Sequence, residues 1–566
     1  MSKSFYKRAL ESWPQRPHDF QHYDRNATFM EEFGIKGPHH LDAITVEDLG
    51  LEEVYADVDR TYTSPGANVL WNTMLDPLVN PMELSMRDSF IERLRRDEKL
   101  RNRAQKTLAD CGYEVSSDYM IPLLMEYSVA PGLLILMIVF GLILFGLILF
   151  SIITRSMETA LMLVLPMLLV NALLAWWVER REDLSKLRKV KGLSFKGGIA
   201  FQMASMMNLM NVLKAGVRIS EDPDLAEMSP GLGEHLKAVK PLFDSFRFFS
   251  LLARVDILDY ISQLFLIKQV LYYRTQARLK NDNVKLRAFV WAVGYVDALL
   301  SIAAYRDDLD QYNEPWTKPV LSGKKAHLKM VDAVHPLIED CVPNSMELHN
   351  QGLILTGSNM SGKSTFMRVL GLNAIMAQTL YMVLATSYEA SPFQVMTSID
   401  PGDDVLSGKS YFMAEAEAVL RIINQLDRDV PGLFILDEMF RGTNPTERIS
   451  ASVQIIDYIQ RHNCFLILAT HDRDIITYAT GNFRKFYFTE KVGSEGLTFD
   501  YRLREGISGT SNAIKILDLL GYPTEITHNA RQMIKEEMQL DDYQLQQTSN
   551  GQDHQGNQTE NKNLSS

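Results

Sequence analysis

Gln351-Gly-Leu-Ile-Leu-Thr-Gly-Ser-Asn-Met-Ser-Gly-Lys-Ser-Thr365 is a short apolar run that passes directly into the pattern G-x-x-x-x-G-K-[ST] at Gly357 to Ser364. The pattern predicts a strand, a phosphate-cradling loop and a helix, and with them a bound nucleoside triphosphate. Glycines at 357 and 362 let the backbone curl so that its N–H groups point at phosphate oxygens, while the helix beginning near Lys363 turns its positive end toward the same anion. The expected cofactor-binding set is Gly357, Ser358, Asn359, Met360, Ser361, Gly362, Lys363, Ser364 and Thr365, with Lys363 on the β- and γ-phosphates and Ser364 on Mg²⁺. A chance glycine turn is the bland alternative, and it leaves both the strand before and the helix-forming run after unexplained.

A phosphate loop alone hydrolyses nothing, so the rest of the site is sought downstream. Gly432-Leu-Phe-Ile-Leu-Asp-Glu438 is an apolar strand ending in two carboxylates, placing Asp437 as a Mg²⁺ ligand through water and Glu438 as the group that polarises the attacking water. A third strand, Phe465-Leu-Ile-Leu-Ala-Thr470, ends at His471, placed to sense the γ-phosphate. The bland readings are a solvated turn for the carboxylates and a structural histidine for His471. Convergence with the phosphate loop favours the catalytic assignment.

Thr356-Gly-Ser-Asn-Met-Ser-Gly-Lys-Ser-Thr365, Ser407-Gly-Lys-Ser-Tyr-Phe-Met-Ala-Glu415, Leu436-Asp-Glu-Met-Phe-Arg-Gly-Thr443 and Ala469-Thr-His471, in that order, resemble the ATPase domain of the MutS family of DNA mismatch-repair proteins. Tyr501-Arg-Leu-Arg-Glu-Gly506, Ser511 to Leu517 and Gly521-Tyr-Pro523 look like the end of that domain, and Val334-His-Pro-Leu-Ile338 with Val342-Pro-Asn344 like its opening. More loosely, Asp59-Arg-Thr-Tyr-Thr-Ser-Pro-Gly66, with Leu70, Leu75, Pro77-Leu78 and Arg87, looks like the start of the family's helical core. Val296-Asp-Ala-Leu-Leu-Ser-Ile-Ala303, with Tyr312 to Pro315, looks like the end of its lever helices. The resemblance implies ATP and Mg²⁺ as cofactors, and a homodimer with composite sites in which Ser410 of one subunit contacts the γ-phosphate held by the other. Ser410 as a helix cap is the bland reading, and the two are compatible. Asp403 and Asp404 fall on a loop that the family places near the nucleotide, and Cys341 falls where the family usually stacks an aromatic on adenine.

Between these matches the chain departs from the family. Gly132 to Ile153 and Ala160 to Val178 are two uncharged, almost wholly apolar runs, each about 30 Å long as a helix, the thickness of a bilayer's hydrocarbon core. A helix apolar on every side has no face to show water. The six-residue link Thr154 to Thr159 suits a hairpin, and Trp176 and Trp177 sit where interfacial anchors belong. Arg180, Arg181, Lys186, Arg188, Lys189, Lys191 and Lys196 then mark the cytoplasmic side. The expected location is the cytoplasmic membrane, with two spans, both soluble parts in the cytoplasm, and lipid as a partner.

A net charge of −12 argues against a general electrostatic grip on DNA, and the local basic cluster is better matched by anionic headgroups. Cys111, Cys341 and Cys464 are scattered without metal-ligand spacing, which fits a reducing compartment. The polar, charged N-terminus predicts no cleavable signal peptide. The methionines between 203 and 210 read as core packing rather than a metal site.

The expected fold class is an α/β P-loop ATPase domain of the ABC/MutS type, C-terminal to a mostly α-helical core and lever domain that contains a two-helix transmembrane hairpin. The divisions are a lead-in at 1–48, a helical core-like segment at 49–128, the hairpin at 129–180 with spans 132–153 and 160–178, a lever-like region at 181–322, the ATPase domain at 323–540 and a disordered polar tail at 541–566. The family's mismatch-reading domain and DNA clamp are not recognisable. Phe29-Met-Glu31 and Phe90-Ile-Glu92 match the mismatch-reading Phe-x-Glu pattern, which three residues do easily by chance. The functional expectation is a membrane-anchored ATPase acting on double-stranded DNA. The alternative is a nucleotide-driven membrane switch acting on a protein or lipid partner. A transporter is disfavoured, because two spans per chain give only four per dimer.

Overall fold

The structure, a computed structural model, describes residues 12–17, 36–111, 131–181, 199–240, 256–281, 283–358, 361–399, 411–440, 443–493, 496–507, 514, 517–518 and 520–533. Asn359, Met360, Asp403, Asp404, Ser410, the lysine-rich run from Lys186 to Lys196, Phe29-Met-Glu31 and the 541–566 tail lie outside the described residues.

The C-terminal part is α/β. A six-stranded sheet runs in the order Arg504–Glu505, Phe483–Tyr487, Gly352–Thr356, Cys464–Ala469, Gly432–Asp437, Gln394–Ser398. All neighbours are parallel except the Arg504–Glu505 edge. Three of these strands, at 352–356, 394–398 and 464–469, are buried at every position, as a parallel sheet covered on both faces requires. A smaller four-stranded sheet, in the order Val320–Leu321, Ser387–Ala390, His327–Ala333, Asn344–His349, takes three strands from before the large sheet and one, Ser387–Ala390, from between its strands Gly352–Thr356 and Gln394–Ser398.

The helical part is organised around Asn283–Tyr312. This helix is long and apolar enough to cross a membrane, but 83% of its most apolar window is buried in protein. Its Asp297, wholly buried, accepts from the N–H groups of Tyr62 (3.0 Å) and Thr63 (2.8 Å) and from Thr63 Oγ1 (2.6 Å), capping the start of helix Ser64–Leu75. A Cβ at Gly66 would lie 2.1 Å from the same carboxylate, so only glycine fits there. Burial pushes the Asp297 carboxyl up to about 7, against the pull of these donors.

Helix Pro81–Arg96 packs beside the long helix and carries Phe90 in the core. Its Glu92 pairs with Arg95, Arg306 and Lys318, so Phe90-Ile-Glu92 is a structural element here. Arg306 is fully buried, pairs with Asp88 (2.6 Å) and Glu92 (3.0 Å), and donates to the carbonyls of Leu380 (2.9 Å) and Tyr381 (3.0 Å), just past the helix that follows the phosphate loop. One guanidinium thereby bolts the helical part to the α/β part.

The sequence reading treats residues up to 48 as a lead-in. Their described portion contains a capped helix, Ala43–Leu49. Asp48 accepts from Thr397 Oγ1 (2.7 Å) and Ile399 N (2.9 Å), so this helix seals the edge of the large sheet.

Two helical segments form the hairpin: Pro131–Thr154, and a returning one that runs from Met157–Thr159 through a π-helical stretch at Ala160–Val164 into Leu165–Arg181. Only 11% and 17% of their apolar windows are buried, and Leu142, Phe145, Ile153, Met162 and Leu169 stand exposed. The link is tight, as its six residues suggest, and the turn falls inside it. Arg155 adopts φ +50° and Ser156 caps the returning helix by accepting from Thr159 N, so Arg155 and Ser156 alone make the turn.

Candidate functional site

The parallel sheet decides where the chemistry gathers. Register pairs Leu355 with Ala469 and Ala469 with Asp437, so the chain leaves three neighbouring strands on one edge of the sheet, at Thr356, Asp437 and Thr470. The C-terminal edge of parallel strands is the place where loops of such folds collect ligands.

Immediately after Thr356 the backbone turns through Gly357 at φ +137° and Gly362 at φ +110°. A Cβ at Gly357 would come within 2.6 Å of the Phe488 carbonyl oxygen. Helix Lys363–Thr379 starts at once, with no side-chain cap on its first N–H groups, which leaves its positive end facing the loop. Lys363, buried, folds back so that Nζ donates to the carbonyls of Gly357 (2.7 Å) and Ser358 (3.0 Å). Ser361 Oγ is buried and has no hydrogen-bond partner among the described residues, so a phosphate oxygen in the loop could serve as its partner. Thr365 lies one turn into the helix, on the wall of a neighbouring cavity.

Ser364 Oγ donates to Asp437 Oδ2 at 3.0 Å. A hydroxyl and a carboxylate oxygen side by side at a phosphate loop are the hard oxygen donors that Mg²⁺ prefers. Glu438 follows with φ +47°, a conformation that costs a non-glycine residue energy, held by its N–H donating to the Ala469 carbonyl at 3.0 Å. Its carboxylate, largely buried, accepts from His471 Nδ1 at 2.7 Å. That hydrogen bond and charge raise the His471 pKa above the ordinary imidazole value. Lys363, Ser364, Asp437, Glu438 and His471 thus meet at one edge. Asn359, Met360 and Ser410 fall outside the described residues.

Several contributors are invisible to motif reading. Glu490, buried on the strand Glu490–Gly493, accepts from Ser358 Oγ at 2.8 Å and so braces the phosphate loop. Beside the first turn of helix Lys363–Thr379 lies a cavity of about 380 Å³, walled by Ile338, Cys341, Val342, Phe366, Phe488 and Tyr501 among others. Cys341 stands in this wall, where the resemblance places an aromatic, and the rings of Phe488 and Tyr501 supply aromatic surface from elsewhere. Phe488 and Tyr501 arrive from beyond the last parallel strand, so only the fold brings them to the loop.

The family model for MutS domain V matches residues 353–539. The DNA mismatch repair protein MutS of Thermus thermophilus is 28% identical over 276 residues, 46% of this chain and 33% of that protein. MutS of Petrotoga mobilis is 30% identical over 267 residues, 43% of this chain and 32% of that protein. DNA mismatch repair protein MSH3 of Candida glabrata is 30% identical over 295 residues, covering 49% and 28%. The matched region spans about a third of the length of these relatives. Built on a phosphate loop that opens a domain V, and similar through it to bacterial and yeast mismatch-repair proteins, the chain belongs to the MutS family.

Proposed function

We propose that this chain is a membrane-anchored, Mg²⁺-dependent ATPase that works as a homodimer and acts on duplex DNA. The single observation that carries the ATPase reading is the convergence, at one sheet edge, of Lys363, the Ser364–Asp437 pair at 3.0 Å and the Glu438–His471 pair at 2.7 Å. The residues fit the cofactor. The buried hydroxyl of Ser361, the close approach enforced at Gly357 and the uncapped helix start are what a triphosphate needs, and the adjoining cavity has the size for a nucleobase, with apolar and aromatic walls and polar groups at Glu339, Asp340 and Asn344.

Lys363 would neutralise phosphate charge on leaving the carbonyls of its own loop. Ser364 and Asp437 would hold Mg²⁺, which supplies further charge neutralisation at the phosphates. Glu438 would orient the attacking water and take its proton, with His471 fixing the carboxylate through the Nδ1 hydrogen bond. Ser410 is assigned to the partner subunit's nucleotide, completing a composite site.

DNA as the target is supported by the relatives, which are DNA mismatch repair proteins. A second reading, a nucleotide-driven switch on a membrane partner, is favoured by the net charge of −12 and by the exposed apolar hairpin. The hairpin also supports placement in the cytoplasmic membrane with the α/β part in the cytoplasm.

The detergent-solubilised full chain tests both levels. Lys363→Ala is expected to weaken ATP binding by roughly 10- to 100-fold, as loss of a charge-assisted contact does, whereas Glu438→Gln is expected to bind normally and lose about 10²-fold or more in single-turnover hydrolysis. Normal turnover by Glu438→Gln would sink the assignment. Binding to matched and mismatched duplexes across a salt titration separates the two targets, since no duplex binding at low salt would favour the membrane switch.

A further inference from the structure

Helix Asp256–Leu264 is turned the wrong way for water. Ile257, Tyr260, Ile261 and Leu264 recur at i, i+3, i+4 and i+7, yet Ile257 and Tyr260 are each 70% exposed and Ile261 43%, while Ser262 is 1% exposed. A surface helix of a soluble domain buries its apolar stripe and shows its polar one. The outward apolar stripe continues past the helix to Ile267, also exposed.

What this segment rests on explains the inversion. Its helix breaks at Phe265 and Leu266, with Leu266 at φ +60°, before resuming as Ile267–Asn281. The break frees carbonyl groups, and the hairpin receives them. Asn171, fully buried in the second hairpin helix, donates Nδ2 to the Leu264 carbonyl at 3.0 Å. Gly141, in the first hairpin helix, lies so close that a Cβ would sit 2.5 Å from the Phe265 carbonyl oxygen. Both hairpin helices are therefore shaped to accept this one break, by a polar side chain in an otherwise apolar helix and by a missing side chain.

The position of these contacts sets a depth. Gly141 and Asn171 lie about 9 and 7 residues from the chain ends of the apolar windows Gly132–Thr154 and Met157–Val178, about 10–14 Å in from those ends along a helix. Irregular backbone at such a depth is tolerated only where protein satisfies it, which is what Asn171 does.

We propose that residues 256–267 form a third membrane-embedded element, a re-entrant wedge in the cytoplasmic leaflet whose face at Ile257, Tyr260, Ile261 and Ile267 contacts lipid acyl chains. This rests on the reading of the hairpin as membrane-spanning. Acyl chains are the occupant because the face is continuous with the exposed apolar surface of the hairpin it is docked on. Lys268 is half-buried, and its long stem can carry the ammonium to headgroup level. Arg274 and Arg278, exposed on the following helix, lie about 10 and 16 Å further along it than Ile267, back at the basic membrane surface and above.

The test uses the full chain with Cys111→Ser, Cys341→Ser and Cys464→Ala, reconstituted in phosphatidylcholine–phosphatidylglycerol vesicles. A single NBD-labelled cysteine is placed at Ile257 or Tyr260, at Leu149 in the hairpin, or at Tyr458 on the α/β part. Lipids brominated on the acyl chain are expected to quench emission at 257 and 260 nearly as strongly as at 149, and to leave 458 unaffected. Quenching at 149 without quenching at 257 and 260 would overturn the wedge and leave the spans standing. Absence of quenching at all positions would overturn both. Emission at 257 and 260 that is shielded from water yet insensitive to brominated lipid would mean that a second copy of the chain covers the face, which also overturns the proposal.

Discussion

A proton on His335 would remove an acceptor. Its Nδ1 accepts from Leu337 N at 3.2 Å, and its backbone N–H donates to Cys341 Sγ at 3.4 Å, which shapes the loop walling the cavity beside the phosphate loop. Burial, with Arg368 nearby, lowers its pKa to about 4 from 6.5. The unfolded chain therefore takes up the proton as pH falls below 6.5 while the folded one resists, so the stabilisation present above 6.5 is lost on acidification toward 4. Partial exposure screens the effect. Thermal unfolding in detergent should show a midpoint that falls between pH 7.5 and pH 5, and His335→Asn, which cannot titrate, should flatten that fall; an unchanged slope in the variant would remove His335 as the cause. At this scale legibility followed distance along the chain. Gly357, Lys363 and Ser364 were readable because one local motif fixes their spacing, and Asp437, Glu438 and His471 because each ends an apolar strand. Glu490, Phe488 and Tyr501 were not, since they reach the loop only through tertiary folding and carry no pattern of their own.

Among the elements, the sequence shows Asp59 to Gly66 and Val296 to Ala303 as two separate stretches, and their contact supplies the reason for both. The Asp297 carboxylate needs the Tyr62 and Thr63 donors, and Gly66 makes room for it. Helical periodicity runs from Ile199 to Arg306 and is broken strongly in the sequence only at Pro223 to Gly233; it does not show the break at Leu266, because the positive φ of Leu266 is stabilised by the hairpin rather than by local residue choice. The tight hairpin is legible in the short link from Thr154 to Thr159, but not which residues turn, since Arg155 and Ser156 carry no glycine or proline signal. The long helix is tied to the α/β part by Arg306. Replacing it with Met would leave Asp88 to Lys318 and Glu92 to Arg95 and Lys318, and would orphan two carbonyls, at an expected cost of about 2–4 kcal/mol. Thermal unfolding of Arg306→Met in detergent measures this, and a midpoint equal to that of the parent chain would show that Lys318 and Arg95 suffice.

At the level of the whole molecule, the two hairpin helices expose apolar surface along most of their length while the third long apolar helix is packed in protein. Length and composition do not distinguish these cases in sequence, since burial depends on what the rest of the chain wraps around. The exposed pair should make the chain fractionate with membranes and resist carbonate extraction. Cysteine reagents outside intact cells should label the Arg155–Thr159 turn and spare Lys363. A protein that is soluble without detergent would refute the spans. Dimerisation is tested separately. Mixing inactive Lys363→Ala and Ser410→Ala chains should restore part of the hydrolysis, because one of the two mixed sites keeps both groups. Mixed dimers that form yet stay silent would confine Ser410 to a local role.

The bolt at Arg306 also has a mechanical meaning. The Asn283–Tyr312 helix has 30 residues and is therefore a stiff rod of about 45 Å, clamped near its C-terminal end to the segment that follows the phosphate-loop helix. Its other end adjoins the Ile267–Asn281 helix, which packs on the hairpin. From Arg306 to Asn283 the rod runs about 35 Å, so a pivot of about 5° at the clamp would swing the far end by ~3 Å. A small rearrangement beside the phosphate loop would thus reach the hairpin helices as a displacement of about that size.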